Sequence, residues 1–241
     1  MQENVTGMVL QSAPVGEYDK RVVILTKELG RISAFAKGAR RQYSPFLACT
    51  DPFTFGEFAI YKGKNSYSIS SIKVKNYFSD LREELEDIYM GLYFCELAGY
   101  FTRENMEASL ELNLIYQSLR ALKVPSLTRN LVRYIYEFKM IALNGEAPRI
   151  FECRDCGSKE NLIYFYPTEA CIRCNECQKK SGEYILSATT IYTMQRILAS
   201  NIEKLYTFTV SNRVEKELGT VISKYRELYV PTTFKSLELI D

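Results

Sequence analysis

Four cysteines arranged as two close pairs are the residues best placed to do chemistry. Cys153-Arg154-Asp155-Cys156-Gly157 is a CxxCG knuckle, in which two thiolates can grip one metal ion while the glycine takes a turn at positive φ. Cys171-Ile172-Arg173-Cys174-Asn175-Glu176-Cys177 offers two overlapping CxxC pairs as the second half. The pair Cys174/Cys177 leaves 17 residues after Cys156, inside the usual spacing for zinc, whereas Cys171/Cys174 leaves 14. The spacing therefore selects Cys153, Cys156, Cys174 and Cys177 as a tetrahedral four-thiolate site for one structural Zn2+, with Cys171 near its rim. An iron-sulfur cluster could use four of the same thiolates, although paired knuckles suit zinc better. A closed four-thiolate shell has no open position for water or substrate, so it staples the fold instead of catalysing. A dithiol redox centre would want its CxxC at a helix start beside a βαβ unit, and neither pair has that context.

A second cluster is cationic. Residues 1–80 hold 11 Lys plus Arg against 7 Asp plus Glu, while residues 81–150 hold 8 against 10 and the remainder is balanced. The excess concentrates at Lys20-Arg21 and in Lys37-Gly38-Ala39-Arg40-Arg41, where a glycine-bearing loop at a strand end can bring several cations to one polyanion backbone. Phe35, Tyr43, Phe46, Phe53, Phe55, Phe58, Tyr61 and Tyr67 are interleaved with them. Bases stack on exposed rings in single-strand-binding grooves, so the combination points to nucleic acid, although most of these rings could equally be core. Arg129 and Arg133 lie four apart on the expected polar face of a helix and would extend the basic track.

Other chemistry is excluded by what is missing. The 241 residues contain no histidine, which removes Ser-His-Asp and Cys-His nucleophile pairs and every His-ligated metal. There is no GxxxxGK[ST] and no GxGxxG, and no carboxylates pair in a recognisable motif, so the chain is not expected to be an enzyme. The net charge is only +2, which leaves polyanion binding to local clustering. Met1 to Leu10 shows no secretory pattern, no apolar run reaches membrane-spanning length, and seven cysteines are an odd number. Reduced thiols in the cytoplasm are expected.

The elements that must position these residues follow from periodicity. From Val5 to about Asn76, β-branched and aromatic runs alternate with turn signals such as Pro14-Val15-Gly16 and Lys62-Gly63-Lys64-Asn65. Five strands are predicted near 5–13, 20–26, 31–37, 51–62 and 66–76. Their number and spacing suit a small closed barrel, with the OB-fold leading and an SH3-like barrel as the alternative. After Ser79-Asp80 the period becomes 3.6. Leu81, Leu85, Ile88, Leu92 and Cys95 form one ladder, Ala108, Leu112, Ile115, Leu119 and Leu122 a second, and Leu127, Leu131, Tyr134, Phe138 and Ile141 a third. Two more helices are predicted over about 188–200 and 212–228. The predicted class is α+β: an OB-fold nucleic-acid-binding domain over 1–79, a helical domain over 80–150 and 187–241, and a four-cysteine zinc-finger insertion over 151–186.

The barrel, the helices and the inserted knuckle together resemble the bacterial recombination mediator family RecO across nearly the whole chain. Gly30-Arg31-Ile32-Ser33-Ala34-Phe35-Ala36-Lys37-Gly38-Ala39-Arg40-Arg41 is similar to the family's glycine-centred KGARR segment, with Ser44-Pro45-Phe46 and Asp51-Pro52-Phe53-Thr54 following. Glu17 to Thr26 is similar to its second strand, and the two cysteine pairs fall where zinc-bearing members carry theirs. Cys171 departs from the pattern, standing where a small residue often precedes the second knuckle. The resemblance implies a cytoplasmic, nucleoid-associated protein that binds single- and double-stranded DNA and anneals complementary strands. It implies work with RecR and with the C-terminal tail of the single-strand-binding protein to load RecA at gaps. It also implies DNA contacts at Lys37, Arg40 and Arg41, and at Lys20 and Arg21. The competing reading is a zinc-stapled protein-protein interaction module with no direct DNA binding, separated from the first by whether the isolated chain binds DNA.

Overall fold

Apolar residues face inward along five successive strands, and closing the sheet on itself removes its unpaired edges. The computed structural model, which describes residues 2–64, 66–179 and 181–240, contains that closure. Strands β1 (Gln2–Val15), β2 (Asp19–Thr26), β3 (Gly30–Ala36), β4 (Phe55–Lys62) and β5 (Tyr67–Asn76) form a closed barrel in the order β1-β2-β3-β5-β4. β1 closes on β4 antiparallel and β3 meets β5 in parallel, which makes this the OB-fold and not an SH3-like barrel. Val5, Val9, Val22, Ile24, Ile32, Ala34, Phe58, Ile60 and Tyr67 fill the interior. β1 is longer than the periodicity predicts because its first half pairs with β4 and its second half with β2.

Two departures from the predicted strands have local causes. The fourth strand begins at Phe55 and not at 51, because Val9 clasps the preceding turn: its N–H donates to Thr54 O at 2.9 Å and its carbonyl accepts from Phe53 N–H at 2.9 Å. Phe53 takes φ +74° there and buries its ring. In β5 the inward face switches from Tyr67 and Ile69 to Ile72, because the pairing slips between Ala59 and Ile60 and leaves Ser70 as the extra residue. The Ser70 hydroxyl donates to Ala59 O at 3.0 Å, which anchors the bulge. Asn65, part of the predicted turn between β4 and β5, lies outside the described residues.

The barrel shares one compact unit with α1 (Leu85–Phe101), α2 (Ser109–Ala121) and the segment from Phe234 onward. The first predicted ladder breaks. A 3-10 turn over Ser79–Glu83 ends in extended backbone at Glu84, and the helix restarts at Leu85 with a new phase. Leu85 is consequently exposed, and Met90, Gly91, Tyr93, Phe94 and Leu97 take the buried face. Gly91 is required there, since a Cβ would stand 2.9 Å from the Phe53 ring. The second ladder is buried throughout, as its spacing predicts.

The second unit, residues 124–233, contains α3 (Arg129–Leu143), β6 (Leu162–Tyr166), β7 (Cys171–Cys174), β8 (Tyr184–Ile185), α4 (Ala188–Ala199) and α5 (Asn212–Tyr229). The three short strands form an antiparallel sheet in the order β7-β6-β8. α3 packs on both α4 and α5. Its Lys139 is buried and donates to the carbonyls of Ile197, Leu198 and Ser200 at 3.2, 2.8 and 2.9 Å, closing the C-terminus of α4 where the helix dipole favours a cation.

Candidate metal centre and nucleic-acid interface

The metal centre is built by two turns and a strand. Gly157 takes φ +74° and donates to Cys153 O at 2.9 Å, while Cys153 N–H donates to Ser158 O at 2.7 Å, so the first knuckle is folded around its own sulfurs. β7 delivers Cys174 and a 3-10 turn over Asn175–Cys177 delivers Cys177. The sulfurs of Cys153, Cys156, Cys174 and Cys177 all lie within 4.8 Å of one another. A tetrahedral ion holding sulfur at about 2.3 Å would set the sulfurs about 3.8 Å apart. Cys156 and Cys174 stand at 3.7 Å, so the donor set fits a single ion.

Burial raises the Cys153 thiol, but the backbone N–H groups of Cys156, Cys174 and Asp155 turn toward its sulfur and bring it down to about 6. Hydrogen bonds with Cys156 and Cys174 push Cys177 up to about 12, so a metal ion held by these sulfurs would have to displace that proton. Behind the site, Arg173 is fully buried with its guanidinium over the Tyr166 ring at 4.5 Å. It donates to Asp155 and to Glu169, both at 2.7 Å, and holds both carboxyls below their ordinary range. Asp155 sits inside the first knuckle, so Arg173 ties the knuckle to β7. Cys171 points away from the four: its sulfur lies 3.6 Å from Arg173 Nη1 and 3.9 Å from Arg154 Nη1. Cys177, and not Cys171, therefore completes the cluster of four.

The cationic cluster occupies one end of the barrel. Val15 pairs with Asp19, Lys20 with Ala36, Ala34 with Tyr67, and Lys62 with Tyr67. The β1–β2 and β2–β3 registers bring the β1–β2 turn and the loop from Lys37 together. The loop is held by its backbone. Gly38 N–H donates to Asp19 Oδ1 at 2.7 Å, Arg40 N–H to Tyr18 O at 2.9 Å, and Arg41 N–H to Gly38 O at 3.1 Å. The Arg40 guanidinium reaches Gly16 O and Glu17 O, and that of Arg41 lies 5.1 Å from the centre of the Tyr18 ring. A groove of about 400 Å³ runs between Lys37, Gly38, Arg41, Gln42, Tyr43, Ser44, Pro45 and Phe46, with no acidic side chain in its wall.

Comparison with known proteins closes the assignment. Residues 1–78 match the family model described as Recombination protein O N terminal, and residues 82–238 match Recombination protein O C terminal. The chain belongs to the RecO family. Among similar proteins named DNA repair protein RecO, that of Acetivibrio thermocellus is 30% identical across 98% of this chain and 94% of the relative. That of Caldicellulosiruptor saccharolyticus is 31% identical across 96% and 95%, and that of Alkaliphilus metalliredigens 28% across 97% and 96%.

The individual cations of this RecO chain are not equivalent. Lys37, Arg40 and Arg41 are exposed at the barrel end, and Arg21 is exposed with its Nε on Ser33 Oγ at 2.8 Å. Lys20 is half-buried and paired with Asp51 at 2.9 Å, which removes it from the open surface. Arg129 begins α3, in the other compact unit. Arg133 does not lie on a solvated face: it is buried, with Nε 3.1 Å from Glu137 Oε1, because that flank of α3 is covered by packing and only apolar spacing is visible in sequence. Of the eight interleaved aromatics, Phe53, Phe58 and Tyr67 are core, Phe35, Phe46 and Phe55 are half-buried, and Tyr43 and Tyr61 are exposed. Lys62 and Lys64, read in the sequence only as turn residues, are exposed, but β5 runs parallel to β3 with Tyr67 level with Ala34, so the residues before Tyr67 extend away from Lys37. Among the described residues, no helix is long and apolar enough to cross a membrane.

Proposed function

We propose that this RecO chain is a DNA repair and recombination mediator that binds single- and double-stranded DNA at the cationic barrel end and anneals complementary strands. With RecR and the single-strand-binding protein it helps to load RecA onto gapped DNA. The observation that carries the reading is the gathering of Lys37, Arg40 and Arg41 beside the β1–β2 turn at one end of an OB barrel, around a groove with no acidic side chain among its lining residues. Cations there displace counterions from phosphates, a favourable, salt-dependent term with no sequence preference. Annealing needs two like-charged strands brought together with their base edges left free. A cationic surface lowers that repulsion and makes or breaks no bond, so the protein acts without being an enzyme.

The metal is Zn2+, one per chain and structural, held by Cys153, Cys156, Cys174 and Cys177. It supplies cross-linking of the two knuckles; the chain's own Arg173, Asp155 and Glu169 hold the strand that carries Cys174. The acidic tail of the single-strand-binding protein docks on the helical domain beside Arg129. RecO works in the cytoplasm, associated with the nucleoid.

Fluorescence anisotropy of the purified chain on labelled single-stranded DNA across a salt series, with zinc quantified on the same sample, tests the reading. Affinity that falls steeply with salt, at about one zinc per chain, supports it. A folded, zinc-loaded chain that does not bind DNA at low salt leaves a protein-docking module that reaches DNA only through partners.

A further inference from the structure

Tyr43 is the least buried large side chain in the molecule's cationic loop, 91% exposed at the rim of the groove that Lys37 and Arg41 line. Its exposure is not a by-product of a loose segment. Ser44 N–H donates to Arg41 O at 3.0 Å, Leu47 N–H to Ser44 O at 3.2 Å, and Phe46 N–H to Ser44 Oγ at 3.2 Å. The Thr50 hydroxyl donates to Phe46 O at 2.8 Å, and Pro45 further restricts the backbone beside Ser44. Phe46, three residues on, packs against the barrel core, so the loop's anchoring is done without Tyr43. What remains is a ring held out in water by a stiff loop, with two cations in the same groove and no acidic side chain among the residues that line it.

We propose that Tyr43 is a stacking platform for one unpaired base, with flanking phosphates held by Lys37 and Arg41, so that this groove prefers single-stranded to duplex DNA. The inference rests on the DNA-binding reading and adds the determinant of strandedness to it. Phosphate binding alone does not favour unpaired DNA, since a duplex offers more charge per unit length. In a duplex each base face is covered by its neighbour, and the ring finds nothing to stack on. An unpaired base exposes its π-face, and stacking of this kind tolerates any base.

The chain contains no tryptophan, so a Tyr43→Trp variant of the full protein carries a single tryptophan in the groove. Its emission is expected to be quenched by an unlabelled single-stranded oligonucleotide and left nearly unchanged by a hairpin-free duplex of the same length at matched saturation. In anisotropy, Tyr43→Ala is expected to lose roughly 5- to 100-fold in single-strand affinity. It should keep its duplex affinity and its circular dichroism, while Tyr43→Trp keeps both affinities. Equal losses on both substrates in Tyr43→Ala, no loss on either, or equal quenching by duplex would overturn the platform while leaving DNA binding at the barrel end intact. Failure of the unaltered chain to bind either substrate at low salt overturns the DNA-binding reading, and the platform falls with it.

Discussion

The sulfurs of Cys156 and Cys174 stand 3.7 Å apart although 17 residues lie between them, and those residues include the whole of β6. That approach is set by Arg173, which binds Asp155 of the first knuckle from the strand that ends in Cys174. The same geometry sends the Cys171 sulfur toward guanidinium groups. Cys177→Ser is therefore expected to lose the bound metal and Cys171→Ser to keep about one ion per chain, measured by mass spectrometry of the metal. Structural zinc sites contribute about 10–16 kcal/mol of binding energy to folding, so a chelator should also lower the melting temperature of the unaltered chain and of Cys171→Ser alike. Retention of metal by Cys177→Ser would move the fourth ligand elsewhere.

Lys37 and Arg41 face the groove, whereas Arg40 spends its guanidinium on Gly16 O and Glu17 O. Replacing Lys37 and Arg41 together by Ala is expected to weaken single-strand binding and to flatten the log-affinity against log-salt slope by about 1.4, at about 0.7 for each phosphate left unneutralised. Arg40→Ala should in addition lower thermal stability, by about 1 kcal/mol for the loss of its hydrogen bonds across the two loops. A salt slope unchanged in the double variant would place the phosphate-binding cations on another surface.

Much of this arrangement is legible in the sequence, and the parts that are not share a cause. Alternation in β2 and β3 and the ladder Ala108 to Leu122 correspond directly to buried faces. The CxxC spacing selects the four clustered cysteines. In β5, by contrast, both alternating sets contain apolar residues, and only the slip at Ser70 decides that Tyr67 and Ile69 share an interior with Ile72. The phase of α1 is reset by one extended residue, Glu84, which no local periodicity announces. Local pattern reports which face is apolar; it does not report what covers the polar one, and Arg133 is the clearest case.

Arg133 is buried against Glu137, itself fully buried, with Arg226 Nε 3.6 Å from the same carboxylate oxygen. Removing Arg133 leaves Arg226 beside Glu137, so the loss falls below that of an uncompensated buried charge and is about 1–3 kcal/mol, as for a buried polar group that loses one partner. Arg133→Ala is expected to show a loss of that order in chemical denaturation while the folded fraction binds DNA with unaltered salt slope. A variant of normal stability with a reduced slope would return Arg133 to the DNA-binding surface.

Glu217 offers a test with a defined pH window. Its Oε2 accepts from Ser187 N–H at 2.9 Å and from the Thr190 hydroxyl at 2.6 Å, and its Oε1 from Arg213 Nε at 3.0 Å, so one carboxylate of α5 closes the N-terminus of α4. Burial raises this carboxyl, but the bonds to Thr190, Ser187 and Arg213 outweigh it and bring it down to about 2, from an ordinary value of 4.5. Because the folded form binds its proton less readily than the unfolded form, the stabilisation is fully present above about pH 4.5 and is lost as pH falls toward 2. Glu217→Gln keeps the shape and an acceptor but not the charge, and is expected to cost about 2 kcal/mol at pH 7, as hydrogen bonds to charged groups do. Acid also strips metal from thiolates, so the informative quantity is the difference in urea midpoint between the variant and the unaltered chain at each pH. That difference should be constant from about pH 7 to 5 and shrink between about 4.5 and 3. A difference that does not change with pH would mean that Glu217 holds α4 by shape alone, with no contribution from its charge.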